Sequence, residues 1–315
     1  MSSGPPYLRA GVRRASAERG FTLLETMVAL VVLLVVMGTV MSAMIGFSQT
    51  QSMVWNRSNM HSAVRSATEL LQQEVGQAGR VSLANGIQMT TAVAAAGTHT
   101  VSVTSTTGMF VGERLVIDAG SKEETVTVIT VDSATSITAK FAQSHASPVA
   151  VTVRGGFASG VVPSNMTNGS TTNVLKIVGD INGDTNMVYV EYVYDAVAGT
   201  LSRNMMPFSA AAKPVVNAGQ ILLTNLLPNP GGTPCFTYEQ KTVAGTTYVL
   251  NVAITLTSHT QFRDRVTRQF QTETKALLNV APRNVFEMWQ LASIGVSNRI
   301  HPMPPSVTNL LADPH

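Results

Sequence analysis

The sequence predicts an α+β protein with a long N-terminal helix packed on an antiparallel β-sheet head, and with a small β-module inserted between them. Two observations support this fold class. The first eighty residues combine an apolar run with a helical spacing of apolar positions, and the remainder alternates in segments rich in Val, Thr, Ser and Ala. At 315 residues the chain is long enough for a sizeable core and two modules.

Residues 1–20 form a basic leader. They contain four arginines and one glutamate, and this net charge of +3 accounts for the formal net charge of the whole chain. The remaining residues carry 17 basic and 17 acidic side chains. A broad nucleic-acid-binding surface needs a local surplus of Lys and Arg, so we predict no nucleic-acid partner.

An apolar run, residues 21–46, follows the leader. About 20 apolar residues span a bilayer as a helix, and this run is long enough. The arginines before it favour a cytoplasmic N-terminus, with the rest of the chain on the other side of the membrane. The candidate cleavage point, between Gly20 and Phe21, precedes the run. We therefore expect the run to be retained, whereas a signal peptide is removed.

Glu25 is the one charged residue in this run. A carboxylate in hydrocarbon costs about 3 kcal/mol on insertion scales and usually has a partner. Cleavage after Gly20 would create an α-amino group on Phe21, about one helical turn from Glu25. The amine and the carboxylate could then neutralise each other, within one chain or between staggered neighbours.

The segment "RGFTLLE", residues 19–25, with the apolar helix after it, resembles the processing motif of type IV prepilins and type II secretion pseudopilins. The resemblance implies cleavage between Gly20 and Phe21 by a prepilin peptidase, N-methylation of Phe21, and a role for Glu25 in docking each subunit against its neighbour. It also implies other pilins or pseudopilins and an inner-membrane assembly platform as partners. The implied location is a single pass in the inner membrane, with a periplasmic head, and later the pilus at the cell surface.

Residues 47–80 are expected to continue the helix in amphipathic form. Five apolar positions recur on one helical face: Met60, Val64, Ala67, Leu71 and Val75. Gly76 and Gly79 supply the stop. The stretch "ELLQQEVGQAGR" is similar to the helix that follows the membrane segment in PilW-like minor pilins and J-type minor pseudopilins.

Three further segments complete the predicted domain organisation. Residues 90–153 are typical of an inserted β-module with alternating strands and turns. Residues 154–285 are expected to form the pilin-like β-sheet head, with a hairpin turning near residues 261–265. Residues 286–315 contain "HPMPP" and "DPH" and are predicted to be an irregular surface tail.

The stretch "GDINGDTN" supports a calcium hypothesis. It places four oxygen-bearing side chains at alternate positions, namely Asp180, Asn182, Asp184 and Asn186. The glycine is displaced from the EF-hand pattern and no bidentate glutamate stands at the right distance. An Asx-rich turn explains the same letters, so both interpretations stay open.

No enzymatic motif is found in the sequence, and we expect no enzyme. The single cysteine, Cys235, excludes an intramolecular disulfide and is expected to be a small, partly buried thiol. The preferred function is a minor pilin with a role in pilus assembly or priming, adhesion or motility. The alternatives are a minor pseudopilin of type II secretion, a DNA-uptake or adhesin subunit, and a membrane-anchored β-rich surface protein that is not assembled.

Overall fold

The fold is taken from a computed structural model that describes residues 20–265 and 267–313. Of the predicted leader, only Gly20 falls within the described residues. The chain divides into two compact units, Met1–Val54 and Trp55–His315. Among the described residues, the first unit contains the residues before the long helix and the N-terminal part of that helix, and the second contains the β-strands.

Helix α1 extends over Leu23–Gln77, within three residues of the predicted limits, 21 and 80, at each end. The predicted apolar stripe is confirmed, because its five residues are all buried: Met60, Val64, Ala67, Leu71 and Val75. The helix ends where Gly79 adopts a φ of +86°, which glycine reaches without the steric cost of a Cβ. The Gly79 N–H then donates to the carbonyl of Val178 at 2.8 Å, which joins the helix end to the head.

The inserted module is a six-stranded antiparallel sheet. Its strands follow the spatial order β1-β6-β3-β4-β5-β2. Their bounds are β1 Gln88–Met89, β2 Gly97–Ser102, β3 Arg114–Ile117, β4 Glu124–Ser133, β5 Ser136–Phe141 and β6 Val149–Val153. The two outer strands meet, because Thr90 N–H donates to Ser102 O at 2.8 Å and Thr104 N–H donates to Gln88 O at 2.9 Å. The sheet therefore closes into a small barrel, which removes exposed strand edges.

The barrel has its own apolar core. Its largest fully buried members include Met89, Leu115, Ile117, Ile137 and Phe141. These side chains come from alternate positions of strands that face each other, as in any filled small barrel. The barrel begins at Gln88, two residues before the predicted segment 90–153, and its separate core explains how it folds without contributing strands to the head sheets.

The head contains two four-stranded antiparallel sheets, with spatial orders β11-β10-β9-β8 and β12-β14-β13, where β15 pairs with the other side of β14. Their bounds are β8 Val174–Gly179, β9 Val188–Asp195, β10 Thr200–Pro207, β11 Ile221–Leu223, β12 Leu226–Leu227, β13 Phe236–Val243, β14 Thr246–His259 and β15 Thr272–Val280. A separate short strand, β7 Gly156–Phe157, precedes them. The hairpin predicted near residues 261–265 is the β14–β15 connection. The α+β fold class is confirmed.

One core joins the buried stripe of α1 to both head sheets. Leu71 and Val75 of the helix share this cluster with Tyr192 of β9, and with Val252 and Ile254 of β14. Val252 and Ile254 are fully buried. The head thus depends on the helix to cover its sheets.

The prediction of an irregular tail from residue 286 is wrong. The segment forms helix α2, Arg283–Ser293, strand β16, Ile300–His301, and helix α3, Pro305–Ala312. The prolines mark helix starts, because Pro282 is the N-cap residue of α2 and Pro305 is the first residue of α3, where a missing N–H costs nothing. Strand β16 pairs in parallel with β7.

Glu113 is fully buried where the barrel meets the head. Its Oε2 accepts a hydrogen bond from Phe110 N–H at 3.3 Å, while its Oε1 has no partner among the described residues. Phe110 packs against Phe157 and Phe208 of the head, with ring centroids 5.6 Å and 6.2 Å apart. Burial raises the pKa of Glu113 to about 8, so this carboxyl group is protonated at neutral pH.

The Glu113→Gln variant is expected to lose part of the pH dependence of unfolding. Between the ordinary carboxyl pKa of 4.5 and about 8, only the unfolded state of the wild type is ionised at this position. Its stability therefore falls by about 1.4 kcal/mol per pH unit as the pH rises through this window, and Gln has no proton to lose. Urea unfolding between pH 5 and pH 8 measures the slope.

The matched control is Glu123→Gln, in the same module. Its carboxylate lies near the surface and pairs with Arg154 at 2.7 Å, so its replacement leaves this slope unchanged. A Glu113→Gln slope equal to that of the wild type would contradict the protonated state of Glu113.

Candidate functional site

The predicted processing residues lie at the start of α1. Gly20 and Phe21 precede the helix and are exposed, and a Cβ added at Gly20 would meet no atom within 4 Å. Thr22 caps the helix, because its Oγ1 accepts a hydrogen bond from Glu25 N–H at 3.2 Å. The arrangement leaves the Gly20–Phe21 bond accessible, immediately before a defined helix start.

Glu25 lies in the first turn of α1 and is exposed. A carboxylate at this position interacts favourably with the positive end of the helix dipole. It also lies four residues from Phe21, whose nitrogen would become the N-terminus after cleavage. The described geometry therefore places the acid near the bond that the motif marks.

The N-terminal part of α1 is long and apolar enough to cross a membrane, as judged by length and composition. Every large apolar side chain from Phe21 to Phe47 is at least half exposed. The hydroxyls of Thr39 and Thr50 donate to carbonyls of their own helix, at 2.8 Å and 3.0 Å. The polar side chains in this segment thus satisfy part of their hydrogen bonding without water.

The "GDINGDTN" stretch forms a tight loop around a buried carboxylate. Asp180 is fully buried, and it accepts hydrogen bonds from Ser82 Oγ at 2.8 Å and from the backbone N–H groups of Asp184 and Thr185. The Arg80 guanidinium lies 3.6 Å from its Oδ2. These donors occupy oxygens that a cation would need.

The other residues of the calcium hypothesis lie further out in the same loop. Asp184 Oδ1 accepts from Asn186 N–H at 3.0 Å, and Asn182 points its amide towards the sulfur of Met205 at 4.0 Å. Across residues 20–265 and 267–313, no cluster of three or more His, Cys, Asp or Glu side chains is arranged to hold a metal. Calcium binding stays a prediction, and the Asx-turn accounts for the contacts that are present.

Cys235 is buried in the head core, and burial raises the pKa of its thiol to about 12. A neutral, buried thiol is a packing group rather than a nucleophile at physiological pH.

Sequence reasoning missed a different polar cluster in the barrel. His145 lies buried between Asp118 Oδ2 at 3.2 Å and Glu124 Oε1 at 2.6 Å.

This barrel cluster has a structural explanation. Each ring nitrogen of His145 lies within hydrogen-bond distance of a carboxylate, and these two contacts hold the ring in place. Its hydrogen bond lowers the pKa of Asp118. The three residues come from separate strands and loops, and no local motif in the sequence connects them.

Comparisons with known proteins agree with the N-terminal geometry. No curated protein matches the chain. Residues 15–41 match the prokaryotic N-terminal methylation motif, which implies processing by a prepilin peptidase and assembly with other pilins. This motif is typical of structural pilins, and the matched region contains Gly20, Phe21, Glu25 and the first part of the apolar helix. The chain therefore carries the type IV prepilin signature, and this motif indicates a type IV pilin-like or pseudopilin protein.

Proposed function

We propose that this protein is a minor subunit of a type IV pilus. It is cleaved between Gly20 and Phe21, methylated on Phe21, and assembled through its N-terminal helix. The observation that carries the proposal is the prepilin signature directly before a helix whose apolar side chains are exposed on every side. Its role is mechanical: helix packing holds the fibre, and the head takes part in assembly, priming or adhesion.

The exposed apolar helix requires a covering partner. An apolar surface of this size is stable in water only when it is buried. Lipid covers it while the protein is anchored in the membrane, and apolar helices of other pilins cover it in the fibre. When the subunit enters the fibre, contacts between the helix and lipid are replaced by contacts between packed helices. Van der Waals packing of this kind also drives helix association in membranes.

The head is proposed to face the periplasm before assembly and the cell exterior afterwards. The support is the excess of arginine in residues 1–20, because positively charged flanks stay on the cytoplasmic side. In this arrangement the inner-membrane assembly platform contacts the cytoplasmic or membrane-embedded part of the subunit. The barrel and both head sheets remain available to other pilins.

The mass of the N-terminal peptide tests the processing step. Protein from the native membrane fraction is digested, and the proposal expects a peptide that starts at Phe21 and carries one added methyl group. An intact leader, or cleavage after residue 46, would contradict the proposal. Such a result would favour a membrane-anchored or secreted β-rich protein.

Recovery in sheared surface fibres tests the pilus assignment. The barrel adds bulk to the head, which favours a surface fibre over a short periplasmic one. We expect the processed protein to co-purify with pili sheared from cells. Processed protein that stays in the envelope would instead support the minor pseudopilin of type II secretion.

The Glu25→Gln variant is expected to be cleaved normally and to be depleted from fibres by at least about thirtyfold. Loss of one member of a buried charge pair costs about 2–5 kcal/mol, since the other charge remains desolvated. Quantitative immunoblots of the sheared fraction, normalised to processed protein in the membrane, give the ratio. Glu69→Gln is the matched control, because Glu69 lies exposed on the same helix. Normal incorporation of the Glu25→Gln chain would rule out the assembly role.

A further inference from the structure

The β14–β15 connection carries an exposed basic and aromatic surface. We define the basic-aromatic patch as Trp55, Phe262, Arg263, Arg265, Arg268 and Phe270. Each of these side chains is exposed, and those of Trp55 and Phe262 are 62% and 65% exposed. The proposed pilus function uses none of them.

The connection is fixed to the helix by a reciprocal pair of hydrogen bonds. Asn56 Nδ2 donates to Phe262 O at 2.7 Å, and Phe262 N–H donates to Asn56 Oδ1 at 3.3 Å. Among the described hydrogen bonds, Asn56 is the first residue of α1 that contacts a strand connection of the head. The connection is therefore anchored to the helix at the residue that follows Trp55.

The outward charge of the connection is positive. Its one acid, Asp264, is turned inward, where Oδ1 accepts from Thr267 N–H at 2.9 Å and Oδ2 accepts from Gln271 Nε2 at 3.4 Å. The three arginines project to solvent around this turn. An inward acid and outward arginines give a cationic tip on a chain whose remaining charge after the leader is balanced.

The aromatic side chains distinguish this tip from an ordinary solvated hairpin. The Arg263 guanidinium lies 5.1 Å from the centroid of the Phe270 ring, and the centroid of the His259 ring lies 4.6 Å from that of the same ring. Phe262 is left exposed beside them. Aromatic rings combined with arginine are typical of the membrane–water interface, where the rings lie at headgroup level and the cations contact phosphate.

The chain segment between the predicted span and Trp55 is short. Only residues 47–54 separate the predicted span from Trp55, and eight helical residues rise about 12 Å. A headgroup layer occupies about 5–8 Å of that rise. The part of this rise that lies beyond the headgroups is shorter than about one Debye length, 8 Å at physiological salt. Electrostatic attraction between the arginines and an anionic leaflet is therefore only partly screened.

We propose that the basic-aromatic patch binds anionic phospholipid headgroups of the leaflet from which the head emerges. This inference rests on the proposed membrane-inserted state of the subunit. The contact holds the head against the membrane before assembly, and it is broken when the subunit is drawn into a fibre. It assigns the arginine cluster a lipid ligand, which explains why aromatic and cationic side chains are exposed together at this connection.

Amide hydrogen exchange of the full chain in lipid nanodiscs tests the proposal. One set of nanodiscs contains phosphatidylcholine alone, and the other contains phosphatidylcholine mixed with anionic phosphatidylglycerol. Each arginine at such a surface favours the docked state about fivefold, so exchange in segment 261–271 is expected to slow in the anionic nanodiscs only. The slowing disappears at high salt, because screening weakens the attraction.

Two triple variants make the test specific. Arg263→Gln, Arg265→Gln and Arg268→Gln together abolish the slowing, whereas Lys122→Gln, Lys140→Gln and Lys241→Gln, which remove the same charge from other exposed positions, preserve it. Equal exchange in both lipid compositions, or equal loss in both variants, overturns the proposal. The proposal is also overturned if exchange slows only when two copies of the chain share a nanodisc and slows equally in both lipid compositions. That result would indicate a contact between subunits. Since these nanodiscs contain no fibre, the result is independent of whether the protein enters pili.

Discussion

The Gly20→Val chain will keep its 20-residue leader, and it will be missing from sheared surface fibres. A peptidase must bring the scissile backbone close to its catalytic groups, and glycine permits that approach because it has no Cβ. Valine is also β-branched, which restricts the extended backbone around the bond. We expect cleavage to fall below detection, as measured by the mass of the N-terminal peptide from the membrane fraction.

The structure makes this substitution a clean test. A Cβ at Gly20 meets no atom within 4 Å, so the change leaves the fold of the described residues intact. Gly38→Val is the matched control for cleavage, because a Cβ at Gly38 also meets nothing and the position lies within the apolar helix. Normal cleavage of the Gly20→Val chain, or an equal loss in the Gly38→Val chain, would show that the Gly20–Phe21 bond is not the recognised one.

Helix α1 could be predicted from sequence because its signals are local. The apolar run, the 3.6-residue spacing from Met60 to Val75 and the glycines after Val75 each act within a few turns. The strands β9, β10, β14 and β15 were recognisable for the same reason, since alternation is visible within each strand. The N-terminal site was predictable because all its residues lie within seven positions of one another, residues 19–25.

The tertiary features were not predictable, because they depend on partners that are distant in sequence. Closure of the barrel joins strand ends at residues 90 and 102 through backbone groups that leave no side-chain signal. The helices α2 and α3 are short, and their prolines predict loops unless the position relative to the helix start is known. The donors that occupy Asp180 include Ser82, which lies 98 residues away.

The polar contact between α1 and the head is a further example. Glu74 is buried, and its carboxylate accepts hydrogen bonds from Tyr192 Oη at 2.5 Å and from Arg203 Nε at 3.0 Å and 3.1 Å. The partners lie 118 and 129 residues away, in β9 and β10. In the sequence, Glu74 and Glu69 look alike as spaced charges on a solvated helix face, but only Glu69 is exposed.

The Glu74→Ala variant is expected to lose about 3 kcal/mol of unfolding free energy. The substitution leaves the buried Tyr192 hydroxyl and the mostly buried Arg203 guanidinium without their acceptor, and breaking a buried pair from one side costs about 3–5 kcal/mol. Arg203 keeps 21% of its side chain exposed and can recover some hydration. We therefore expect a loss at the lower end of this energy range. Urea unfolding of the full chain in a nonionic detergent, followed by near-UV circular dichroism, measures the change.

Glu69→Ala provides the comparison, because it makes the same chemical change five residues earlier on the same helix. Its partner, Arg65, is exposed, and the Arg65 Nε atom lies 2.7 Å from Glu69 Oε1. Water replaces this contact when it is lost, so the free energy of unfolding changes little. Equal effects of the two substitutions would mean that the carboxylate of Glu74 is solvated in the native protein. A large effect confined to Glu74 would identify the contact through which α1 is held to β9 and β10. Force applied to the helix in a fibre would then reach the head through a buried ion pair as well as through the apolar core.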